Sequence, residues 1–183
     1  RDGGDGDDRD GDDRDDDPER LDRLLEIGAV CNDATVDDGD PTERALVAAA
    51  ADHGLDVEAR RAARPRRDEV PFSSERKRMA TIHDDVVYVK GAPKVVLDRS
   101  TRVLGPDGPV ELDAETASRI EARIDDFAAD ALRVLGFAYR ERDGAGGDGA
   151  GDADDPESDL VFVGLQGLID PPREEGRAAI EDT

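Results

Sequence analysis

Lysine is scarce in this 183-residue chain of formal net charge -23, in which it occurs only at Lys77, Lys90 and Lys94. Lys90 ends the apolar run VVYVK, and Gly91 follows at once, where a missing side chain lets a ligand approach the backbone closely. An ammonium group at such a place can bind an anion such as phosphate. The alternative is a lysine that ends a strand and extends into solvent.

An aromatic side chain and a second lysine lie close together in the stretch PFSSERKRM. Phe72 precedes Lys77 by five residues, so a turn of the chain could bring both side chains to one pocket. A ring can stack on a nucleic-acid base, a contact worth about 1 to 3 kcal/mol, while a lysine supplies charge for phosphate. The alternative is that Phe72 belongs to the core and Lys77 is solvated.

Two further charged residues could contact a polar ligand. Arg133 begins the otherwise apolar stretch RVLGFA, where it could bind a phosphate through two hydrogen bonds or merely extend into solvent. Glu43 falls in the first turn of a helix that Asp40 caps. There it could complete a capping box or accept a hydrogen bond from a base amino group.

The charge balance restricts the classes of partner. The chain holds 48 acidic residues against 25 lysines and arginines, and 1–17 contain no apolar side chain. We expect 1–17 to be an acidic disordered segment, because nothing in it offsets the entropy of ordering. Such acidity repels nucleic acid and anionic membranes. Acidic solvent-facing positions, with arginine preferred to lysine, favour a halophilic source; the alternative is an acidic protein of an ordinary cell.

This charge leads to a prediction about salt. We expect the chain to lose structure as potassium chloride is lowered from molar to millimolar concentration, because like charges repel more strongly when they are less screened. Circular dichroism across a salt series measures this loss. A spectrum that stays the same across the series would contradict the halophilic interpretation.

Several other function classes find little support. The single cysteine, Cys31, excludes an intramolecular disulfide, and the isolated His53 and His83 do not form a metal site. The letters GAGGDG at 144–149 match a dinucleotide-binding fingerprint but open no helix, so we interpret 142–158 as an acidic, Gly-rich exposed loop. With no signal peptide and no apolar run of about 20 residues, we expect a soluble chain. We also expect it to be a monomer.

Periodicity and capping predict the elements that position these residues. Helices are predicted around PERLDRLLEIGAV and after Asp40, Pro93 and Asp113, and strands within DEVPFSS, RMATIH, VVYVK, RVLGFAYRE and DLVFVGLQGLID. Hairpin turns are predicted at 84–85 and 105–108. The order predicts an α+β fold with a mostly antiparallel, twisted sheet flanked by helices.

Six pieces of the chain, taken in order, resemble the nucleotide-binding domain of P-type cation-transporting ATPases, the group that includes the calcium and sodium/potassium pumps. The pieces are CND at 31–33, GDPTE at 39–43, FSSERKRM at 72–79, VKGAP at 89–93, LRVLGFA at 132–138 and GLIDPPR at 167–173. The resemblance implies a nucleotide-binding domain over 18–167. It also implies that 168–183 form the hinge and the start of the phosphorylation domain.

The resemblance implies a role for each of the candidate residues. In that family the domain binds ATP, and the γ-phosphate passes to an aspartate of a neighbouring phosphorylation domain to drive ion transport. Phe72 would stack on adenine, with Lys90 and Gly91 deep in the pocket. The remaining implied contacts are Lys77 along the pocket, Arg133 toward the phosphates, Leu135 by the ribose or base, and Glu43 at the adenine amino group beside Thr42 and Asp40.

Other parts of the family pattern differ or are not found. Lys94 stands where the family usually has an acid, and we expect it to adjust the pocket rim. Asp170 and Arg173 would approach the nucleotide only once the domains close. The DKTGT, TGD, GDGxND and TGE motifs are not found, so the magnesium ligands and catalytic residues are expected outside this chain.

We therefore expect a cytoplasmic fragment of a membrane ATPase that binds ATP without hydrolysing it. Its expected partners are ATP and the phosphorylation and actuator domains. The alternative is a non-catalytic acidic interaction module that has the same fold and has lost nucleotide binding.

Overall fold

A computed structural model describes residues 17–142 and 155–169. The chain order is helices α1 to α3, three strands, helix α4, two strands, helix α5 and two strands. The bounds are α1 Pro18–Val30, α2 Pro41–Asp52, α3 Val57–Ala63, β1 Asp68–Val70, β2 Arg78–Ile82, β3 Val86–Gly91, α4 Pro93–Asp98, β4 Ser100–Gly105, β5 Gly108–Glu111, α5 Ala114–Ala129, β6 Arg133–Glu141 and β7 Leu160–Leu168.

Aspartates cap four of these helices. The side chains that accept hydrogen bonds from the first-turn N–H groups of α1, α2, α3 and α5 belong to Asp17, Asp40, Asp56 and Asp113. A cap of this kind contributes about 0.5 to 2 kcal/mol, and its carboxylate also interacts favourably with the helix dipole. Part of the acidity of the chain therefore stabilises its helices. Asp17, the last residue of the predicted acidic segment 1–17, is the N-cap of α1.

Within the described residues, the strands form one seven-stranded sheet in the order β1-β2-β3-β6-β7-β4-β5. Every neighbouring pair is antiparallel except β4 and β7, which run parallel. The predicted α+β class, with a mostly antiparallel sheet and flanking helices, is confirmed. The order places β3 beside β6, so two strands far apart in sequence share the centre of the sheet.

The two faces of the sheet carry separate apolar clusters, as alternation along a strand requires. One cluster joins Met79, Tyr88 and Phe137 to α1 and α2, and the other joins Val89 and Ala138 to α4 and α5. All six residues of β3 are buried because helices cover both of its faces. Lys90 pairs in register with Met79 on one side and Phe137 on the other, so its side chain belongs to the face that α1 and α2 cover.

Most predicted elements are present, and one boundary is wrong. The helix after Pro93 and both predicted hairpins occur as expected, with β2–β3 and β4–β5 as the hairpin strands. The strand predicted within DEVPFSS ends at Val70, so Phe72 lies in the following loop. Within the predicted loop 142–158, the structure describes 142 and 155–158, and Glu157 is buried. Residues 170–183 lie outside the described residues.

Candidate functional site

Lys90 and Glu43 form an ion pair between β3 and α2. The Lys90 Nζ donates to Glu43 Oε1 at 2.7 Å, and the two side chains are 8% and 23% exposed. A lysine is rarely buried to this extent unless it is paired, because desolvation disfavours its charge. Two residues that the sequence suggested for ligand binding are therefore in direct contact, and the capping interpretation of Glu43 does not describe where its carboxylate points.

Asn32 positions Glu43, a role that the sequence interpretation missed. The buried Asn32 amide donates to the Gly28 carbonyl at 3.0 Å and to the Glu43 carbonyl at 2.9 Å, and its oxygen accepts from the Ala34 N–H at 2.8 Å. These bonds tie the end of α1 to the first turn of α2. Asn32 lies in the CND piece of the resemblance, which is the sequence feature that could have indicated this role. A buried asparagine must find hydrogen-bond partners.

Gly91 is required by the close approach of the loop before β2. A Cβ at Gly91 would lie 2.6 Å from the Arg78 Cβ and 2.7 Å from its Cα, and would also contact the Lys77 carbonyl. That carbonyl accepts a hydrogen bond from the Ala92 N–H at 2.8 Å. The missing side chain thus lets the loop that carries Lys77 pack against the residue after Lys90. We had expected the glycine to admit a ligand, and the structure gives this second reason for it.

Lys77 has an unusual backbone conformation. Its φ is +55°, a left-handed value that is uncommon for a residue other than glycine. The Lys77 N–H donates to the Ser73 carbonyl at 2.7 Å, which closes the loop 73–77. The side chain is exposed. The loop therefore holds its backbone tightly while it leaves the ammonium group accessible.

The start of β6 brings the next candidates to the same end of the sheet. The Arg133 guanidinium lies 3.5 Å from the Thr42 hydroxyl, in the first turn of α2. Leu135 is two residues further along and is partly buried against the cluster that contains Phe137. Since Phe137 neighbours Lys90 in register, Arg133, Thr42 and Leu135 lie along one side of the Lys90–Glu43 pair.

The sequence also named Phe72, Lys94, Asp170 and Arg173. Phe72 lies in the loop before Lys77 with 61% of its surface exposed, which excludes the core alternative for this ring. Lys94 on α4 pairs with Asp125 of α5 at 3.0 Å, on the face of the sheet opposite to α2. Asp170 and Arg173 lie outside the described residues.

The positive charge of Lys90 also affects the pKa of the buried Cys31 thiol. Burial raises the pKa of the Cys31 thiol, and the positive charge of Lys90 acts in the opposite direction. Cys31 lies beneath β2 and β3, with its Sγ 3.6 Å from the Tyr88 carbonyl. Cys31 is thus a buried free cysteine that packs beneath the strand that carries Lys90.

Two concavities of the described residues are not lined by Lys90 or Glu43. One, of about 340 Å³, lies beside α3 and is lined mainly by acidic and apolar residues. The other, of about 280 Å³, is lined by Arg61, Arg64, Arg66 and His83 among others. Its arginines bind carboxylates or backbone carbonyls of the protein itself. Over 17–142 and 155–169 there is no cluster of metal-binding side chains and no helix long and apolar enough to cross a membrane.

The chain matches the family described as P-type ATPase, cytoplasmic domain N, over residues 20–175. This match covers most of the 183 residues, so the chain belongs to that family. The resemblance inferred from the six short pieces is confirmed.

Curated relatives agree with this membership. The chain is 40% identical over 175 residues to "Cation-transporting ATPase pma1" of Synechocystis, a match that covers 89% of this chain and 19% of the relative. It is 34% identical over 178 residues to "Calcium-transporting ATPase" of Bacillus subtilis, with 88% and 19% covered. It is 38% identical over 162 residues to "Calcium-transporting ATPase 1" of Lactococcus lactis, with 82% and 18% covered. The chain thus spans about a fifth of the length of these relatives.

Proposed function

We propose that this chain binds ATP at the end of β3, with Lys90 as the central cation. The observation that carries the proposal is the buried Lys90–Glu43 pair, held at the point where Gly91 lets the Lys77 loop approach. In a chain of net charge -23, an anionic ligand needs a local cation to offset the general repulsion. The membership of the P-type ATPase domain N supports the choice of a nucleotide as that anion.

Each of the other residues of the site would contact a different part of the nucleotide. The exposed Phe72 ring offers a face for the adenine, and Leu135 offers an apolar contact beside the ribose or base. Lys77 and Arg133 would extend toward the phosphates, where an arginine can form two parallel hydrogen bonds. Glu43 would accept from the adenine amino group, which requires its carboxylate to be shared between the base and Lys90.

We further propose a role for the chain within a larger protein. The γ-phosphate of the bound ATP would pass to an aspartate outside this chain, and this transfer would drive cation transport across a membrane. Magnesium would be held with the nucleotide by residues of the phosphorylation domain. Asp170 and Arg173 would then act at the hinge, near the nucleotide when the phosphorylation and actuator domains close on this cytoplasmic domain.

Titration with ATP in molar potassium chloride tests the first part of this proposal. We expect saturable changes in the backbone amide resonances of β3, the Lys77 loop and the start of β6. A non-hydrolysable analogue should produce the same changes, because the chain is proposed to bind ATP without hydrolysing it. If saturating ATP moves no resonance, the chain is instead a non-catalytic acidic interaction module that has the fold without the nucleotide.

Replacing Phe72 with alanine is expected to weaken ATP binding about tenfold. The loss of base stacking accounts for this, since such stacking contributes about 1 to 3 kcal/mol. The midpoint of thermal unfolding should stay nearly unchanged, because the ring is mainly exposed. Isothermal titration calorimetry measures the affinity.

Val110→Ala is the matched control for Phe72→Ala. Val110 is 53% exposed on β5. β5 is an edge strand, and β6, β7 and β4 lie between it and β3 in the sheet. We expect its ATP affinity to stay within about twofold of the parent, in keeping with the small effect of surface substitutions away from a site. Equal affinities for the Phe72→Ala variant and the parent would contradict the stacking role.

A further inference from the structure

Glu157 is a buried carboxylate that contacts the loop before β2, although about 80 residues separate the two in sequence. Its side chain is 3% exposed, and Oε2 accepts from the Arg76 guanidinium at 2.6 Å and from the Arg78 guanidinium at 2.9 and 3.0 Å. Arg76 and Arg78 flank Lys77 directly. Glu157 thus holds both neighbours of one proposed phosphate-binding lysine.

The two arginines in turn hold the backbone of the loop. Arg76 donates to the carbonyls of Pro71 and Arg78, the latter at 3.1 Å, and Arg78 donates to the Arg76 carbonyl at 3.1 Å. Pro71 is the residue before Phe72, so the guanidinium groups span the loop that carries both Phe72 and Lys77. Because a guanidinium is planar and rigid, its orientation depends on what anchors each of its edges. Glu157 is the carboxylate that anchors both groups.

Glu157 is itself fixed to the sheet. Its N–H donates to Asp155 Oδ1 at 2.9 Å, and Asp155 forms an ion pair with Arg99. The Arg99 carbonyl accepts from the N–H of Leu160, the first residue of β7, at 3.1 Å. The contact from Glu157 to the loop therefore rests on a strand of the sheet rather than on a free surface segment.

Stability alone is a weak explanation for this arrangement. Glu157 Oε1 is buried and has no hydrogen-bond partner within the described residues. A buried ion pair with one oxygen unpaired contributes little net stability compared with apolar side chains of similar volume. The geometry of the loop is what the carboxylate provides.

We propose that Glu157 is a positioning residue of the nucleotide site, which acts through Arg76 and Arg78 to orient Lys77 toward the phosphates and Phe72 toward the base. This inference rests on the proposed function, since it assigns a support to the same site.

Replacing Glu157 with glutamine is expected to weaken ATP binding about tenfold, because a loop that loses its anchor misplaces the groups that it carries. The direction of the change in ATP affinity distinguishes lost positioning from a simple effect of charge. Removing a negative charge from an acidic chain would by itself strengthen binding of an anion, so a weaker affinity identifies the lost positioning. Calorimetric titration in molar potassium chloride gives the dissociation constant for the parent and the variant.

A double-mutant comparison separates positioning from a general structural effect. In the parent, both Lys77→Ala and Lys90→Met should weaken ATP binding. In the Glu157→Gln background, the effect of Lys77→Ala should shrink severalfold, while the effect of Lys90→Met should stay the same, because residues that act together are not additive. Equal attenuation of both effects would overturn the proposal.

Glu26→Gln is the matched control. Glu26 is also a buried carboxylate that binds two arginines, Arg60 and Arg64, but it contacts α3 and Tyr88 rather than the Lys77 loop. We expect Glu26→Gln to lower the unfolding midpoint while ATP affinity stays within about twofold. If Glu26→Gln weakens ATP binding as much as Glu157→Gln does, the effect is a general loss of stability and the proposal fails.

Two further outcomes decide the matter. If the Glu157→Gln chain does not fold, Arg76→Lys keeps the positive charge and removes the planar fork, and it should weaken ATP binding in the same direction. Parent-like affinity in Arg76→Lys would then overturn the positioning role. If the parent itself does not bind ATP, the proposed function fails first; if the parent binds and Glu157→Gln binds equally well, only the role of Glu157 fails.

Discussion

Replacing Lys90 with methionine is expected to weaken ATP binding by about ten- to a hundredfold. A hydrogen bond to a charged partner contributes about 1.5 to 3 kcal/mol, and Lys90 is the cation that lies deepest among the proposed site residues. Methionine keeps the length of the side chain and removes the charge. It also leaves the Glu43 carboxylate unpaired beside an anionic ligand, which adds repulsion. Isothermal titration calorimetry in molar potassium chloride measures the change.

Two variants make the result for Lys90 interpretable. Lys94→Met removes the same charge four residues later, but Lys94 is exposed and pairs with Asp125 on the opposite face of the sheet. Its ATP affinity should stay within about twofold, since exposed charges are largely screened at this salt concentration. Adding Glu43→Gln to Lys90→Met should recover part of the lost affinity. A similar loss in Lys94→Met and Lys90→Met would show that net charge, rather than the site, controls binding.

Replacing Gly91 with alanine is expected to lower the free energy of unfolding by about 3 kcal/mol. The new Cβ would overlap the Cα and Cβ of Arg78 and the backbone carbonyl of Lys77, so relief requires a shift of backbone rather than of a flexible side-chain end. The strand β3 cannot move away easily, since Gly91 is paired in register with Gly136 on the other side. Urea unfolding in molar potassium chloride, followed by circular dichroism, measures the loss.

Gly164→Ala is the matched control for Gly91→Ala. Gly164 is also a buried strand glycine, but a Cβ there would meet only the methyl groups of Leu24, at 3.4 and 3.6 Å. We expect this variant to change the free energy of unfolding by less than about 1 kcal/mol. If the two variants are equally stable, the close approach of the Lys77 loop to Gly91 does not occur in the protein.

Local chemistry made most of the elements predictable. Asp40 followed by Pro41 marks a helix start because the carboxylate satisfies N–H groups that a first turn leaves unpaired. The hairpin at 84–85 follows from two apolar runs that a short polar turn separates. The family was also evident in the sequence, because six short pieces occur in an order that is highly specific.

Long-range contacts were the part that the sequence did not predict. Lys94 stands next to the VKGAP piece, and we expected it at the pocket rim, whereas α4 turns its side chain toward Asp125 on the opposite face. Glu157 fell within a loop that composition alone describes as solvated, yet it is buried against two arginines. The positions of Lys94 and Glu157 both depend on which face of the sheet an element covers. The periodicity of the sequence does not predict which face that is.

The sequence by itself thus predicted four of the five described helices and both hairpins, since caps and turns depend on neighbours within a few positions. It also indicated the family, through the order of the six pieces, and the residues that are proposed to bind an anion. The tertiary structure decided that Glu43 meets Lys90 across 47 residues and that Glu157 anchors the arginines beside Lys77. These contacts arise from the strand order that brings β6 between β3 and β7, and from the helices that close over each face. Such packing depends on the burial of the whole chain rather than on any local pattern of residues.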